Sequence, residues 1–219
     1  MAIILCLETA TTNCSVAVAI DGEVKAIREE NDEKFSHAEK LHVFIEEVLN
    51  EANFNRKELD AIAVSKGPGS YTGLRIGVSA AKGLCFALDV PLISIPTLDV
   101  LVQQVEQTGG YIIPLLDARR MEVYAAVYNA AKKQIRETKA EILDENSFSN
   151  YLKEGKTTFI GDGANKFKQL CSNGNAVFLD HKFPSSAAMA TLAEAKYKIS
   201  DTEDVAYFEP FYLKEFMLG

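Results

Sequence analysis

One order of elements, strand-strand-strand-helix-strand-helix, is written twice along these 219 residues, and that repetition narrows the possible folds more than any other feature. In the first copy, Ile3–Glu8 reads as a buried strand ending in an acid and a Thr-rich turn. Cys14–Ile20 and Glu23–Arg28 read as two further strands joined by the hairpin signal Asp21-Gly22. Ser36-His37-Ala38-Glu39 fits a capping box, and behind it Leu41, Phe44, Ile45, Val48 and Leu49 recur at helical spacing through Ala52. A strand at Leu59–Val64, a helix at Tyr71–Leu88, a short strand at Pro91–Ile95 and a helix at Thr97–Gln107 complete the copy.

The second copy opens with Tyr111–Asp117, again an apolar strand closing on an acid. Strands at Met121–Asn129 and Gln134–Leu143, a short helix near Glu145–Lys153 and a strand at Thr157–Ile160 come next, and helices near Ala164–Cys171 and Ser185–Lys198 finish it. The expectation is an α/β chain of two lobes, 1–108 and 109–219. Each is a mixed sheet with helices on its faces, and the two leave a cleft between them.

The link from strand to helix in the first copy is Ser65-Lys66-Gly67-Pro68-Gly69-Ser70-Tyr71-Thr72-Gly73-Leu74-Arg75-Ile76-Gly77. Gly67 and Gly69 open backbone angles closed to other residues, and Ser70 is placed to cap the helix. A strand, a glycine turn and a helix start make a pocket for an anion, so Gly67, Gly69, Ser70 and Arg75 are candidate anion-binding residues. The run lacks the Lys-Ser/Thr pair that completes a P-loop, since Leu74 follows Gly73. Ser70 is not in a nucleophile elbow either, because Pro68 stands two residues before it.

Glu8 and Asp117 end equivalent strands, where two carboxylates could face each other across a cleft and position a metal-bound water. The turn after Glu8 contains no glycine, which suits it poorly to wrapping a phosphate. The commoner role for both acids is to hydrogen-bond nearby turns. His37 and His42 lie about 140° apart around one helix, too divergent to share an ion, and His181 sits in a polar loop. No metal site and no catalytic residue is expected.

A net charge of −8 argues against this surface alone gripping RNA. The cysteines at 6, 14, 85 and 171 form no C-x-x-C pair, and three have apolar neighbours, as in a reduced cytoplasmic protein. No signal peptide and no membrane-spanning run is read. Gly73, Gly77 and Ala81 form a stripe of small side chains on one helix face. Glycine inside a helix costs about 1 kcal/mol relative to alanine, so close approach of another backbone, from the same chain or a partner, is expected there.

The duplicated layout resembles the actin-like ATPase (ribonuclease H-like) superfamily. Leu7-Glu8-Thr9-Ala10-Thr11, the glycine run from Lys66 to Gly77, Asp117-Ala118-Arg119-Arg120-Met121-Glu122-Val123-Tyr124, Gly161-Asp162-Gly163-Ala164 and the tail Glu209–Lys214 are similar to the TsaB (YeaZ) family. The resemblance implies a subunit of the machinery that makes threonylcarbamoyladenosine in tRNA. In this machinery it pairs with TsaD, which carries metal and active site, and with the ATPase TsaE. ATP and metal then belong to the partner subunits, with no cofactor tightly bound here and tRNA reached only through the complex. The implied partner contacts are His37, Lys40, Leu41, Phe44 and Val48 on one helix with Leu74, Val78 and Lys82 on the next, and a homodimer through the same surface substitutes when TsaD is absent. Phe44→Asp is expected to leave the fold intact and abolish TsaD binding. The competing readings are an autonomous ATP-dependent kinase or carbamoyltransferase built on Glu8, Asp117 and the glycine run, and a peptidase, for which no catalytic spacing exists.

Overall fold

The computed structural model describes residues 1–31, 37–106 and 109–214. Ser36 of the expected capping box and Gln107 at the expected end of the third helix lie outside the described residues. The described residues divide into two units, Met1–Val100 with Pro184–Tyr212, and Leu101–Phe183 with Leu213 and Lys214.

In the first unit, strands β1 (Ile3–Glu8), β2 (Asn13–Ile20), β3 (Glu23–Asn31), β4 (Ala61–Gly67) and β5 (Leu92–Pro96) form a sheet of order 3-2-1-4-5. β1 pairs antiparallel with β2 and parallel with β4, from Ile4 opposite Ala61 to Leu7 opposite Val64. Every residue of β1 is buried, because a central strand covered on both faces reads as one apolar run rather than an alternation. Its side chains still alternate between two cores. Ile3, Leu5 and Leu7 meet helices α1 (His37–Glu51) and α2 (Tyr71–Leu88), while Ile4 and Cys6 face the opposite side.

That opposite side is covered by α6 (Ser186–Lys198), whose Met189 and Ala193 pack against Cys6, Ala17, Ala61 and Ala63. The division therefore differs from lobes of 1–108 and 109–219. The segment expected to finish the second lobe belongs to the first unit. Small residues on the inner strands let this helix approach closely, and polar ties fix its start. Ser15 and Ser186 hydroxyls lie 2.6 Å apart, and Asn13 Nδ2 donates to the Pro184 carbonyl at 2.8 Å.

Strands β6 (Tyr111–Asp117), β7 (Glu122–Tyr128), β8 (Gln134–Ile142), β9 (Thr157–Ile160) and β10 (Ala176–Leu179) build the second unit in the order 10-9-6-7-8. Read from the β8 edge, this is the first sheet strand for strand. The chain is thus a duplicated actin-like α/β fold with two mixed five-stranded sheets. β10 was not anticipated, since its four residues are half-buried and too few to carry a periodicity. The helices run shorter than expected: α3 (Thr97–Gln103) stops before Gln107, α4 spans Ser149–Glu154 and α5 only Ala164–Lys168. Aromatic packing fills this second core, with the Phe159 and Phe167 rings 4.9 Å apart and Phe148 and Phe178 against them.

Candidate functional site

The glycine turn that leaves β4 is filled by the chain itself. Gly67 has φ of +113°, and a β-carbon there would lie 2.6 Å from the Phe211 carbonyl oxygen. Phe211 N–H in turn donates to the Lys66 carbonyl at 2.7 Å. At Gly69 a β-carbon would overlap the Ala10 carbonyl oxygen, which accepts from Ser70 N–H at 2.7 Å. One and two turns along α2, Gly73 and Gly77 leave no room between the helix and Thr9, whose hydroxyl donates to the Gly73 carbonyl at 2.8 Å. The small-residue stripe thus seats α2 on the turn after β1, and intramolecular packing explains it.

This geometry corrects the candidate anion site. Gly67, Gly69 and Ser70 do come together, but carbonyl oxygens occupy the approaches to the two glycines, and those repel an anion. Ser70 caps α2 as expected, accepting from Gly73 N–H at 3.3 Å. Arg75 stands apart on the exposed face of α2, with its guanidinium 5.3 Å from the Tyr71 ring centroid.

Glu8 is completely buried and accepts from Ala10 N–H at 2.7 Å and from the Ser65 hydroxyl. Burial pushes its carboxyl up to about 7, against the lowering effect of the Ser65 and backbone hydrogen bonds. The acid clamps the turn that seats α2. Asp117 likewise holds its own turn, accepting from Arg119 N–H at 2.6 Å and from Lys166 Nζ at 2.7 Å. Sequence reasoning passed over Asp162. It accepts from Asp117 N–H at 2.9 Å, and burial of its carboxyl raises it to about 6. In the sequence it stands between Gly161 and Gly163, within a motif that supports the family resemblance but was given no role.

The histidines do not converge. His37 is buried with Nε2 2.7 Å from the Thr11 carbonyl oxygen, and burial lowers its pKa, while His42 is exposed. Among the described residues no three His, Cys, Asp or Glu side chains cluster as metal donors. Cys6, Cys14 and Cys85 are buried and Cys171 is half-buried, all as free thiols. No helix among the described residues is long and apolar enough to cross a membrane.

The eight candidate partner contacts separate into two groups. His37, Leu41, Val48, Leu74 and Val78 are buried in the first unit, the last four as apolar core residues. This corrects their placement on a surface: helical periodicity identifies an apolar face, and here the sheet takes that face. Phe44 is half-buried against the same core, so Phe44→Asp would disturb folding, which corrects the expectation that it leaves the fold intact. Lys40 pairs with Glu30, and Lys82 Nζ donates to the carbonyls of Phe208 at 2.8 Å and Ala206 at 3.2 Å.

The outward face of α2 carries instead Thr72, Arg75, Ser79, Gly83 and Phe86. A shallow cavity of about 320 Å³ lies at its start, lined by Tyr71, Thr72, Arg75, Ile76 and Ser79. Gly83 has no atom within 4 Å of its β-carbon position, and Phe86 is 88% exposed. On α1, Val43 is also exposed. The sequence signal for this face was the spacing of Ser79, Gly83 and Phe86 at four and three residues.

The model of the family described as TsaD, tRNA N6-adenosine threonylcarbamoyltransferase, matches residues 32–215. A tRNA threonylcarbamoyladenosine biosynthesis protein TsaB from Haemophilus influenzae is 29% identical, aligned over 96% of this chain and 93% of its own length. TsaB of Buchnera aphidicola subsp. Schizaphis graminum is 32% identical over 76% of this chain and 81% of its own. Among solved structures, a Pseudomonas aeruginosa protein described as similar to peptidase YeaZ superposes with a TM-score of 0.87. It is 25% identical, with 98% of this chain and 100% of that one covered. The duplicated sheets, the glycine turn closed over the first strand and these full-length likenesses agree: the chain belongs to the TsaB (YeaZ) family, within the TsaD-related proteins of tRNA threonylcarbamoyladenosine biosynthesis.

Proposed function

We propose that this chain is a non-catalytic activator subunit that works beside a TsaD-type transferase and the ATPase TsaE. Together they form N6-threonylcarbamoyladenosine in tRNAs that read codons beginning with adenine. The outer face of α2 carries the proposal. A mid-helix glycine with nothing above it and a phenylalanine fully offered to solvent three residues on are costly in an isolated domain. Both become favourable when another helix lies across them, because glycine admits a close backbone and the ring finds a pocket. Packing of Gly73 and Gly77 on Thr9 holds α2 rigid behind that face, so little order has to be created on docking.

The groups that an autonomous transferase would use are spent on structure. Glu8 is buried and committed to Ala10 and Ser65, and the glycine turn is occupied by the Ala10 and Phe211 carbonyls. ATP and metal are therefore assigned to the partner subunits, and tRNA is reached within the complex. The test is co-elution with TsaD and restoration of tRNA modification in a mixture containing TsaD and TsaE. Wild-type chain associates and restores modification, while alone it hydrolyses no ATP. Phe86→Asp leaves the fold unchanged and weakens association at least tenfold. A folded Phe86→Asp that binds TsaD as wild type does would overturn the docking face, and ATP turnover by the chain alone would overturn the non-catalytic role.

A further inference from the structure

The hairpin between β6 and β7 in the second unit is built against the usual rules. Arg119 and Arg120 both have positive φ, +70° and +49°, in a region where a β-carbon crowds the backbone and which tight hairpins reserve for Asn, Asp or Gly. The tip is nevertheless held on every side. Ala118 N–H donates to the Glu122 carbonyl at 3.0 Å and Glu122 N–H to the Arg119 carbonyl at 3.1 Å, and Leu143 N–H reaches the Met121 carbonyl at 2.7 Å. Arg119 N–H is bound by Asp117. Both arginines are exposed, and among the described residues no hydrogen bond or ion pair engages either guanidinium.

Elsewhere in this acidic chain Arg28, Arg56, Arg136, Lys166 and Lys214 each meet a carboxylate, while Arg75 lies against the Tyr71 ring and Lys82 donates to backbone carbonyls. At the foot of the tip, Lys166 neutralises Asp117 and Lys214 neutralises Glu122, so the two arginines are a local surplus of positive charge. Among the described residues neither guanidinium meets a carboxylate, and the electrostatic pull of Arg119 on the Tyr124 hydroxyl is the one interaction shown by the pair's charges. Positive φ recurs at other turns, Lys132, His181 and Ser200 among them. What points to a ligand here is the adjacent, exposed pair of guanidinium groups that the braced tip holds outward.

We propose that Arg119 and Arg120 grip the phosphate backbone of the tRNA while it is being modified. Guanidinium forks match phosphate oxygens two at a time, and a chain of net charge −8 needs a local exception to meet a polyanion. The inference rests on the activator reading, under which tRNA is bound by the assembled complex. An acidic protein surface is the competing occupant.

The experiment measures fluorescence anisotropy of a labelled, unmodified tRNA transcript with the chain plus TsaD over a series of salt concentrations. It is repeated with the chain alone at low salt. Arg119→Ala/Arg120→Ala is expected to weaken tRNA binding about tenfold near 0.1 M salt. The plot of log affinity against log salt should become shallower by about 1.5, as loss of two phosphate contacts requires. Arg119→Lys/Arg120→Lys recovers most of the salt slope. Arg119→Asn/Arg120→Gly puts turn-forming residues at the strained positions, so it raises the melting temperature by about 2 °C or more while losing tRNA like the alanine pair. Folded variants with wild-type tRNA affinity and salt slope overturn the proposal. So does loss of TsaD co-elution with tRNA binding intact, which would turn the tip toward a protein. If the wild-type chain failed to associate with TsaD, the activator reading would fall first, and the low-salt titration of the chain alone would still decide the arginines.

Discussion

The two units close a glycine turn over a neighbouring carbonyl in different ways. After β4, Gly69 makes room for the Ala10 carbonyl, which lies in the turn beyond the central strand; after β9, Gly161 and Gly163 make room for the Leu115 carbonyl within the central strand itself. Both central strands end in an acid, but the buried one differs. In the first unit it is Glu8 at the strand end, which holds Ala10 and Ser65, whereas Asp117 is exposed. In the second unit the buried acid sits in the glycine turn, where Asp162 holds the backbone of Asp117. The helices beyond the two turns differ more. The first turn feeds the 18 residues of α2, about 27 Å of helix, and the second the 5 residues of α5. A shared device for bringing backbones together has been extended in one unit into a platform with an outward face.

Filling the close approach tests this contrast hardest. Gly73→Val places branched carbon against the Thr9 carbonyl and is expected to cost about 3 kcal/mol or more in urea unfolding. A loss below about 1 kcal/mol would mean that α2 is not seated on that turn.

The buried acids come next. Glu8 is raised from 4.5 to about 7 and Asp162 from 3.8 to about 6, so in each window the folded state binds the extra proton. Each acid therefore contributes a loss of stability as pH rises from its unfolded to its folded pKa, and no further loss above it. Glu8→Gln should remove a decline of about 3 kcal/mol between pH 4.5 and about 7, read from urea midpoints across pH. Asp162→Asn should flatten the lower window instead. A variant retaining the wild-type pH profile would show that its acid does not titrate there.

Smaller and opposite in sign, Gly83→Ala has free space for its methyl group and should stabilise the isolated chain by about 0.5–1 kcal/mol. It should weaken TsaD association if a backbone docks closely at that point. Destabilisation by Gly83→Ala would mean that α2 is constrained there by something other than its own propensity. Smallest of all, Phe86→Asp should move the unfolding midpoint of the isolated chain by no more than about 0.5 kcal/mol, which is why its effect on association can be read cleanly.

Much of the fold is legible from pattern because strands and helices with strong periods declare themselves. Ile3–Glu8 and Tyr71–Leu88 have the bounds in the structure that their sequence pattern predicts. β10 was not legible, since Ala176–Leu179 is too short to show a period. The site was read less well. Leu41 and Val48 lie on the apolar face of α1, yet periodicity alone does not say whether a sheet or a partner covers such a face. Gly83 and Gly73 look alike in sequence, but one meets empty space and the other the Thr9 carbonyl.

Residue order alone settles the doubled α/β plan, the Ser70 cap on the glycine turn and the family resemblance, because these come from local period, turn chemistry and motif. Three-dimensional packing was needed to learn that α6 covers the first sheet, that carbonyls fill the glycine turn, and that Phe86 rather than Leu41 faces outward. Those outcomes depend on which surfaces meet across long stretches of chain, and no local pattern encodes contact between residues far apart in sequence.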